Sequence, residues 1–140
     1  MVETHRIQVH TVGNSDVVDL GAELSGALGA GRIRNGIATL FVVGSTAAIS
    51  TTEYEPGLVG HDLAHAMEGI APEHGRYVHE ETWHDDNGHS HVRATLVGPS
   101  LTVPLVGGRL TLGRWQQVVL MDFDTQARER EVVVQVIGEP

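Results

Sequence analysis

The chain has 140 residues, with nine basic side chains against eighteen acidic ones and a formal net charge of −9; this length suits one domain with a real core. The acidic balance argues against electrostatic attachment to nucleic acid or to an anionic membrane. All nine basic residues are Arg, and the absence of Lys and Cys excludes a Schiff-base or Walker lysine, a thiol nucleophile, an iron–sulfur cluster and any disulfide. Imidazole, carboxylate and hydroxyl chemistry remain. The chain carries nine His, seven of them from His61 to His91.

Met1–His10 is polar and lacks the apolar stretch of a secretory signal. No apolar run approaches the roughly eighteen residues of a membrane span. The expected location is cytoplasmic.

In chain order, Thr4–Thr11 alternates as a half-buried strand. Asp16 can cap a helix carrying Val17, Leu20, Leu24 and Leu28, which ends at Gly29–Gly31. Ile37–Val43 is a short strand, interrupted at Gly44-Ser45-Thr46 and continued through Ala47–Thr52. Pro56 opens a second helix reaching about Gly69, with Leu58, Val59, Leu63, Ala66, Met67 and Ile70 as its apolar stripe. Residues 71–90 suggest a loop excursion with a short strand at Arg76–His79. Five strands follow, at His91–Val97, Ser100–Val106, Arg109–Leu112, Trp115–Phe123 and Glu131–Ile137, with glycine-rich turns between them. The predicted fold is α+β: antiparallel β-sheets packed as a sandwich with two α-helices, one domain over residues 1–140.

The strongest local chemical signal is His89-Ser90-His91 at a predicted strand entry. In extended backbone both imidazoles point to one face and can share a divalent metal. His79, His84, Asp85 and Asp86 are further candidate ligands; the alternative is a solvated polar loop. His61 and His65 lie one helical turn apart but lack the Glu of a metalloprotease helix, so an exposed or subunit-facing role is expected. Asp62, on the flank of that helix, and Glu53, just before it, are the candidate acid, base or ligand carboxylates. Gly44-Ser45-Thr46 and Gly98-Pro99-Ser100 are turns whose backbone N–H groups can hold an anion. Arg128 and Arg130 share a strand face and can clamp phosphate, unless they guard an exposed edge. Trp115-Gln116 is expected to serve as core and hydrogen-bond scaffold.

An ordered set of segments runs through the chain: Thr46-Ala47-Ala48, Glu53-Tyr54-Glu55-Pro56-Gly57-Leu58, His61-Asp62-Leu63, Tyr77-x-His79, Ser90-His91, Leu96-Val97-Gly98-Pro99-Ser100, Gly108-Arg109-Leu110, Leu112-Gly113-x-Trp115-Gln116 and Arg128-x-Arg130. Together these segments, spanning about Ile37 to Gly138, resemble the YjbQ family, often labelled secondary thiamine-phosphate synthase. The resemblance implies antiparallel sheets packed with two helices, a homotrimer with sites near subunit contacts, and a histidine-lined metal site including His79 and His91. It also implies coupling of a hydroxymethylpyrimidine diphosphate to a thiazole phosphate with release of diphosphate. Two departures stand out. The family commonly has His-Thr-Thr where this chain has Gly44-Ser45-Thr46, and Asn-Glu where it has Thr52-Glu53.

The expected function is therefore a metal-assisted enzyme acting on a phosphorylated small molecule. His79, His89 and His91 would hold the ion, with His84 in reserve. Glu53 or Asp62 would act as base or ligand, and Arg128, Arg130 and Ser100 would contact phosphate. The ion is Zn²⁺ by its imidazoles or Mg²⁺ by its diphosphate chemistry. The alternatives are a non-catalytic metal- or ligand-binding homotrimer, and a structural oligomer with surface histidines.

Overall fold

Alternation along the N-terminal segment becomes strand β1 (Val2–Thr11) in the computed structural model, which describes residues 1–140. Ile7, Val9 and Thr11 point inward. β1 pairs antiparallel with β8 (Arg128–Glu139), Val2 opposite Ile137 and Thr11 opposite Arg128. On its other side β8 pairs with β3 (Asn35–Val43). Beyond β3 lie β5 (Ser100–Val106) and the two-residue β6 (Arg109–Leu110), giving a five-stranded sheet in the order β1-β8-β3-β5-β6. A three-stranded sheet, ordered β2-β7-β4, comprises β2 (Asp16–Asp19), β7 (Gln117–Asp122) and β4 (Ala47–Thr52). All strand pairs are antiparallel.

The two sheets face each other across the main core. Ile7, Leu40, Val42, Val132, Val134 and Val136 meet Ile49, Val118 and Leu120 there. Helix α1 (Gly21–Ala30) adds Leu24 and Leu28 to the same core. β7 is apolar on both faces because both are covered. Val118 and Leu120 face the large sheet, while Val119 and Met121 join a second core with Phe123, Ala48 and Ala94. Leu63 and Met67 of α2 (Leu63–Ile70) and Val97 of α4 (Gly88–Val97) pack against that second core. The result is a sandwich with helices on the outer face of its smaller sheet. No helix is long and apolar enough to cross a membrane.

The sequence reading errs where polar residues are buried. Residues 91–97 are helical, not extended, and belong to α4. Its buried residues include His89, Ser90, Arg93 and Ala94, a helical period written mostly in polar side chains and so invisible to hydrophobic patterning. The expected strand at Arg76–His79 is likewise replaced by helix α3 (Val78–Trp83). Two further helices thus join the two expected. Asp16 does not start a helix: its carboxylate accepts the Val12 N–H at 2.9 Å in the turn before β2. Asp19 instead accepts the Gly21 N–H at 2.8 Å where α1 begins. The second helix opens with a π-helical turn, Leu58–Asp62. β8 is no exposed edge, since it lies between β1 and β3. Trp115 is 64 % exposed rather than core and lies under the Arg114 guanidinium. Gln116 does act as scaffold, joining Thr51 to Gly113.

One buried ion pair joins the sheets. Arg130 of β8 donates from Nε and Nη2 to the two carboxylate oxygens of Asp122 on β7, at 2.7 and 2.9 Å. Thr11 Oγ1 donates to the same carboxylate, and Arg130 Nη2 also reaches Thr46 Oγ1 at 2.7 Å. Replacing Asp122 by Asn removes the bidentate partner of a buried guanidinium and leaves it only the Asp124 carboxylate, 3.7 Å from Nη2, so Asp122→Asn should lower unfolding stability by roughly 3 kcal/mol. Chemical denaturation checks this; an unchanged midpoint would refute the pair's role.

Burial, assisted by the Arg93 cation, holds the His89 imidazole below its ordinary pKa of 6.5, against the opposing pull of Glu73, Glu80 and Asp86. The folded state therefore binds that proton more weakly than the unfolded chain does. Stability from His89 is complete above about pH 6.5 and is lost as pH falls toward the depressed folded value. Thermal unfolding between about pH 8 and about pH 5 should show a fall in Tm that is shallower in His89→Gln; equal slopes would exclude His89 as the source.

Candidate functional site

The histidine-rich segment condenses around the junction of α3 and α4. α3 presents His79 and Glu80, and the following loop supplies Asp85. One ligand atom from each of these three residues lies within 4.8 Å of the other two. His91, in the second turn of α4, brings its ring centroid to 4.7 Å from that of His79. The close approach of α4 to α3 depends on Gly88. A Cβ there would stand 2.6 Å from Tyr77 Cβ and 2.7 Å from Glu80 Oε1, and the Gly88 N–H is held by Glu80 at 2.9 Å.

Hydrogen bonding orients these groups. His91 Nδ1 lies 3.2 Å from the Ser45 carbonyl oxygen. A carbonyl only accepts, so Nδ1 carries the proton and Nε2 of the neutral ring keeps its lone pair for a ligand. His79 Nδ1 is buried and lies 3.1 Å from Asp85 Oδ1, but out of line for a hydrogen bond, leaving it unpartnered. With its amide nitrogen turned toward Asp85, Asn87 donates to both carboxylate oxygens, at 3.3 and 3.2 Å. An orphaned imidazole nitrogen beside two carboxylates and a second imidazole fits a divalent cation. Bonds of about 2.0–2.2 Å would require the donors to draw in by roughly 1 Å.

His89 does not join this cluster. Residues two apart on a helix point about 200° from each other, so His91 faces the cluster while His89 turns inward. His89 is 1 % exposed, its ring lies 6.3 Å from that of Tyr77, and its Nδ1 has no partner. The convergence expected of a strand-borne His-x-His is absent because the strand is a helix. His84 closes α3 in a left-handed conformation and is exposed.

The Gly44-Ser45-Thr46 turn adjoins the cluster through Ser45 and lies above the buried ion pair. Gly44 has φ +134°, and a Cβ built there would fall 2.6 Å from Arg130 Nη1. Arg130 commits Nε and Nη2 to Asp122 and Thr46; Nη1 makes no hydrogen bond within the chain. Arg128, on the same strand face as expected, donates to Asp124 at 3.1 Å. The two arginines are thus internally paired and do not form a free phosphate clamp; the one donor left on the buried guanidinium lies beneath Gly44. Burial raises the Asp124 pKa, but hydrogen bonds from Thr46 and Arg128 outweigh it and hold the carboxyl below its ordinary range.

The other sequence candidates lie apart. Glu53 is exposed beyond the far end of β4, on the order of 20 Å along the strand from Thr46. Asp62 is exposed and bonded to His61 Nδ1 at 2.9 Å. The His61 ring stacks on that of His65 at 5.6 Å, the exposed pair expected from their spacing. Ser100 begins β5 at the opposite end of α4 from His91. In its turn the carbonyls of Gly98 and Pro99 accept hydrogen bonds from Ile49 and Val42. Sequence reasoning missed Glu80, Asn87 and the Ser45 carbonyl. Only the local density of His, Glu and Asp signalled Glu80, and nothing local pointed to a carbonyl forty-six residues from His91.

Comparison with known proteins places this chain in a family. Residues 5–139 match the model described as UPF0047 protein YjbQ-like. A UPF0047 protein of Methanothermobacter thermautotrophicus is 36% identical over 139 residues, covering 99% of this chain and 94% of that protein. A solved structure of a hypothetical protein from Aeropyrum pernix superposes with a TM-score of 0.90 at 32% identity, covering 98% of this chain and 99% of that one. A YbjQ-like protein of unknown function from Sulfolobus solfataricus gives a TM-score of 0.88 at 28% identity, covering 99% and 100% of the two chains. The fold, the ordered motifs and these matches agree: the chain belongs to the YjbQ-like UPF0047 family.

Proposed function

We propose that the chain is a metal-assisted enzyme acting on a phosphorylated small molecule, with thiamine-phosphate synthesis as the activity implied by the family resemblance. The observation that carries this reading is the convergence of His79, Glu80 and Asp85 with His91 beside them, joined through the Ser45 carbonyl to the turn that lies over the free Nη1 of Arg130. Two imidazoles and two carboxylates suit Zn²⁺ or Mn²⁺ better than Mg²⁺, which prefers oxygen ligands and water. A divalent ion bound there would supply Lewis-acid charge to a departing diphosphate. The chain's own residues do the positioning. Ser45 fixes the His91 tautomer, Asn87 aims Asp85, and Arg130 offers N–H donors to a phosphate oxygen from a guanidinium already immobilised by Asp122. Glu53 lies along β4 from the turn and Asp62 is bonded to His61, neither joining the donor cluster, and this favours the second reading, a metal- or ligand-binding protein without turnover.

Calorimetric titration with Zn²⁺ and Mn²⁺, on protein purified without a histidine tag, should give one site per chain. His79→Ala and Asp85→Asn should abolish it, and Asn87→Ala should weaken it by roughly 10–100-fold. His89→Gln and His84→Ala should retain it; loss of binding in either would mean the ion is held elsewhere. Turnover separates the two readings. If the metal-loaded protein forms no thiamine phosphate from the two precursors, the synthase activity fails while the metal site stands.

Assembly as a homotrimer belongs to the same reading. The outer face of the five-stranded sheet carries Ile37, Phe41, Val43, Val106 and Ile137, each more than 40 % exposed. These residues adjoin across β3, β5 and β8, where Ile37 lies opposite Ile137 and Phe41 opposite Val133. Such a contiguous apolar surface is what subunit burial would cover. Sedimentation should give three times the 15.0 kDa chain mass, and Phe41→Glu should dissociate it; a wild-type monomer at micromolar concentration would overturn the assembly.

A further inference from the structure

The largest cavity of the molecule shares no residue with the histidine cluster. It opens between α1 and the β5–β6 hairpin, with a volume of about 670 Å³, inside the range of about 300–1,000 Å³ typical of small-molecule sites. Its floor is the edge of the main core: Leu24, Leu28 and Val118 are buried members of that core, and half-buried Leu110 and Leu112 pack against it. No Asp or Glu lines it, although the chain has eighteen acidic residues. Two arginines do. Arg6, Arg76, Arg93, Arg128 and Arg130 are each paired with a carboxylate, whereas Arg34 and Arg109 at this cavity are not.

Arg34 is held in place by its surroundings. Its N–H donates to the Glu139 carbonyl at 2.8 Å, its carbonyl accepts from the Gly108 N–H at 2.7 Å, and its Nη2 donates to the Gly107 carbonyl at 2.8 Å. The guanidinium lies so close over Gly108 that any Cβ there would collide with it, and Gly108 has φ +79°. Glycine at 108 is thus needed both for the backbone and for the docked arginine. Gln116 at the cavity wall spends its amide on Gly113 and Thr51, so the guanidiniums are the charged donors left to a ligand.

We infer that this cavity binds a small anionic amphiphile, with a carboxylate or phosphate head between Arg34 and Arg109 and an apolar body against Leu24, Leu28, Leu112 and Val118. Local positive charge in an acid-free wall selects the head, and the apolar floor, opened to the cavity by half-buried Leu110 and Leu112, selects the body. The inference is independent of the metal site.

Titration calorimetry with decanoate, decyl phosphate and the neutral decan-1-ol, each below its micellar concentration, tests it. At least one anion should bind saturably at one site, about tenfold or more tighter than the alcohol; which anion binds tighter identifies the head. The Arg34→Gln, Arg109→Gln double variant should lose that advantage. Gly29 lies on α1 at the cavity, and a Cβ there would meet nothing within 4 Å. Gly29→Phe therefore fills the space without a clash at Cβ, in a helix that favours a non-glycine residue, and should abolish binding. No saturable binding of either anion, alcohol binding as tight as the better anion, or binding unaltered in the folded Gly29→Phe protein would each overturn the inference.

Discussion

The buried pair of Arg130 and Asp122 is the constraint from which the site geometry follows. Removing two charges from water is costly, and the attraction between them offsets that cost only when the geometry is good and the remaining donors and acceptors are met. Here the guanidinium is bidentate on Asp122, and threonines from β1 and the β3–β4 turn complete the network. Arg130 belongs to the large sheet and Asp122 to the small one, so the pair fixes how the sandwich faces meet. Thr46 carries that order into the turn, and the neighbouring Ser45 carbonyl carries it to His91. The orientation of the His91 imidazole thus traces back to a charge pair in the core.

Charge is distributed unevenly around this frame. Acidic groups gather with the histidines at α3 and α4, where a cation would relieve their mutual repulsion. The cavity beside α1 has no carboxylate in its lining and presents two unpaired guanidiniums instead. A net charge of −9 describes neither place. The two regions are chemically opposite, one rich in carboxylates and imidazoles and the other lined by arginines without carboxylates, and they lie on different elements of the fold.

Much of the architecture was legible because its burial is apolar. β1 alternates as a half-buried strand does, β3 and β8 read as strands from their runs of β-branched and apolar residues although only one face of each is buried, and β7 reads as a continuous apolar run because both of its faces are covered. Helices α3 and α4 were illegible for the complementary reason. The inward face of α4 is His89, Ser90 and Arg93, and polar residues at helical spacing leave no hydrophobic signature. Arg128 and Arg130 were correctly placed on one face, but their partners Asp122 and Asp124 lie on and just after a neighbouring strand of the other sheet. Only three-dimensional folding shows that the arginines are already paired. At the candidate site, the density of ionisable residues marked the region, while the choice among its histidines depended on helical phase.

That phase decides what the departure at Gly44 means. The family resemblance leads one to expect an imidazole there, and on a strand His89 could have replaced it. In the helix His89 points into the core beside Tyr77, so the lost nitrogen is not restored from that side. The proposed donor set would then be two imidazoles with Glu80 and Asp85, richer in oxygen than a three-histidine site and so less selective for Zn²⁺ over Mn²⁺. The same substitution removes the Cβ that would press on Arg130 Nη1, clearing the space over a guanidinium donor. In the proposed site, the position that would lack a metal-binding nitrogen is also the one that leaves a guanidinium donor uncovered for an anion. On the proposed reading, holding a phosphorylated ligand would then fall less to the ion and more to the protein.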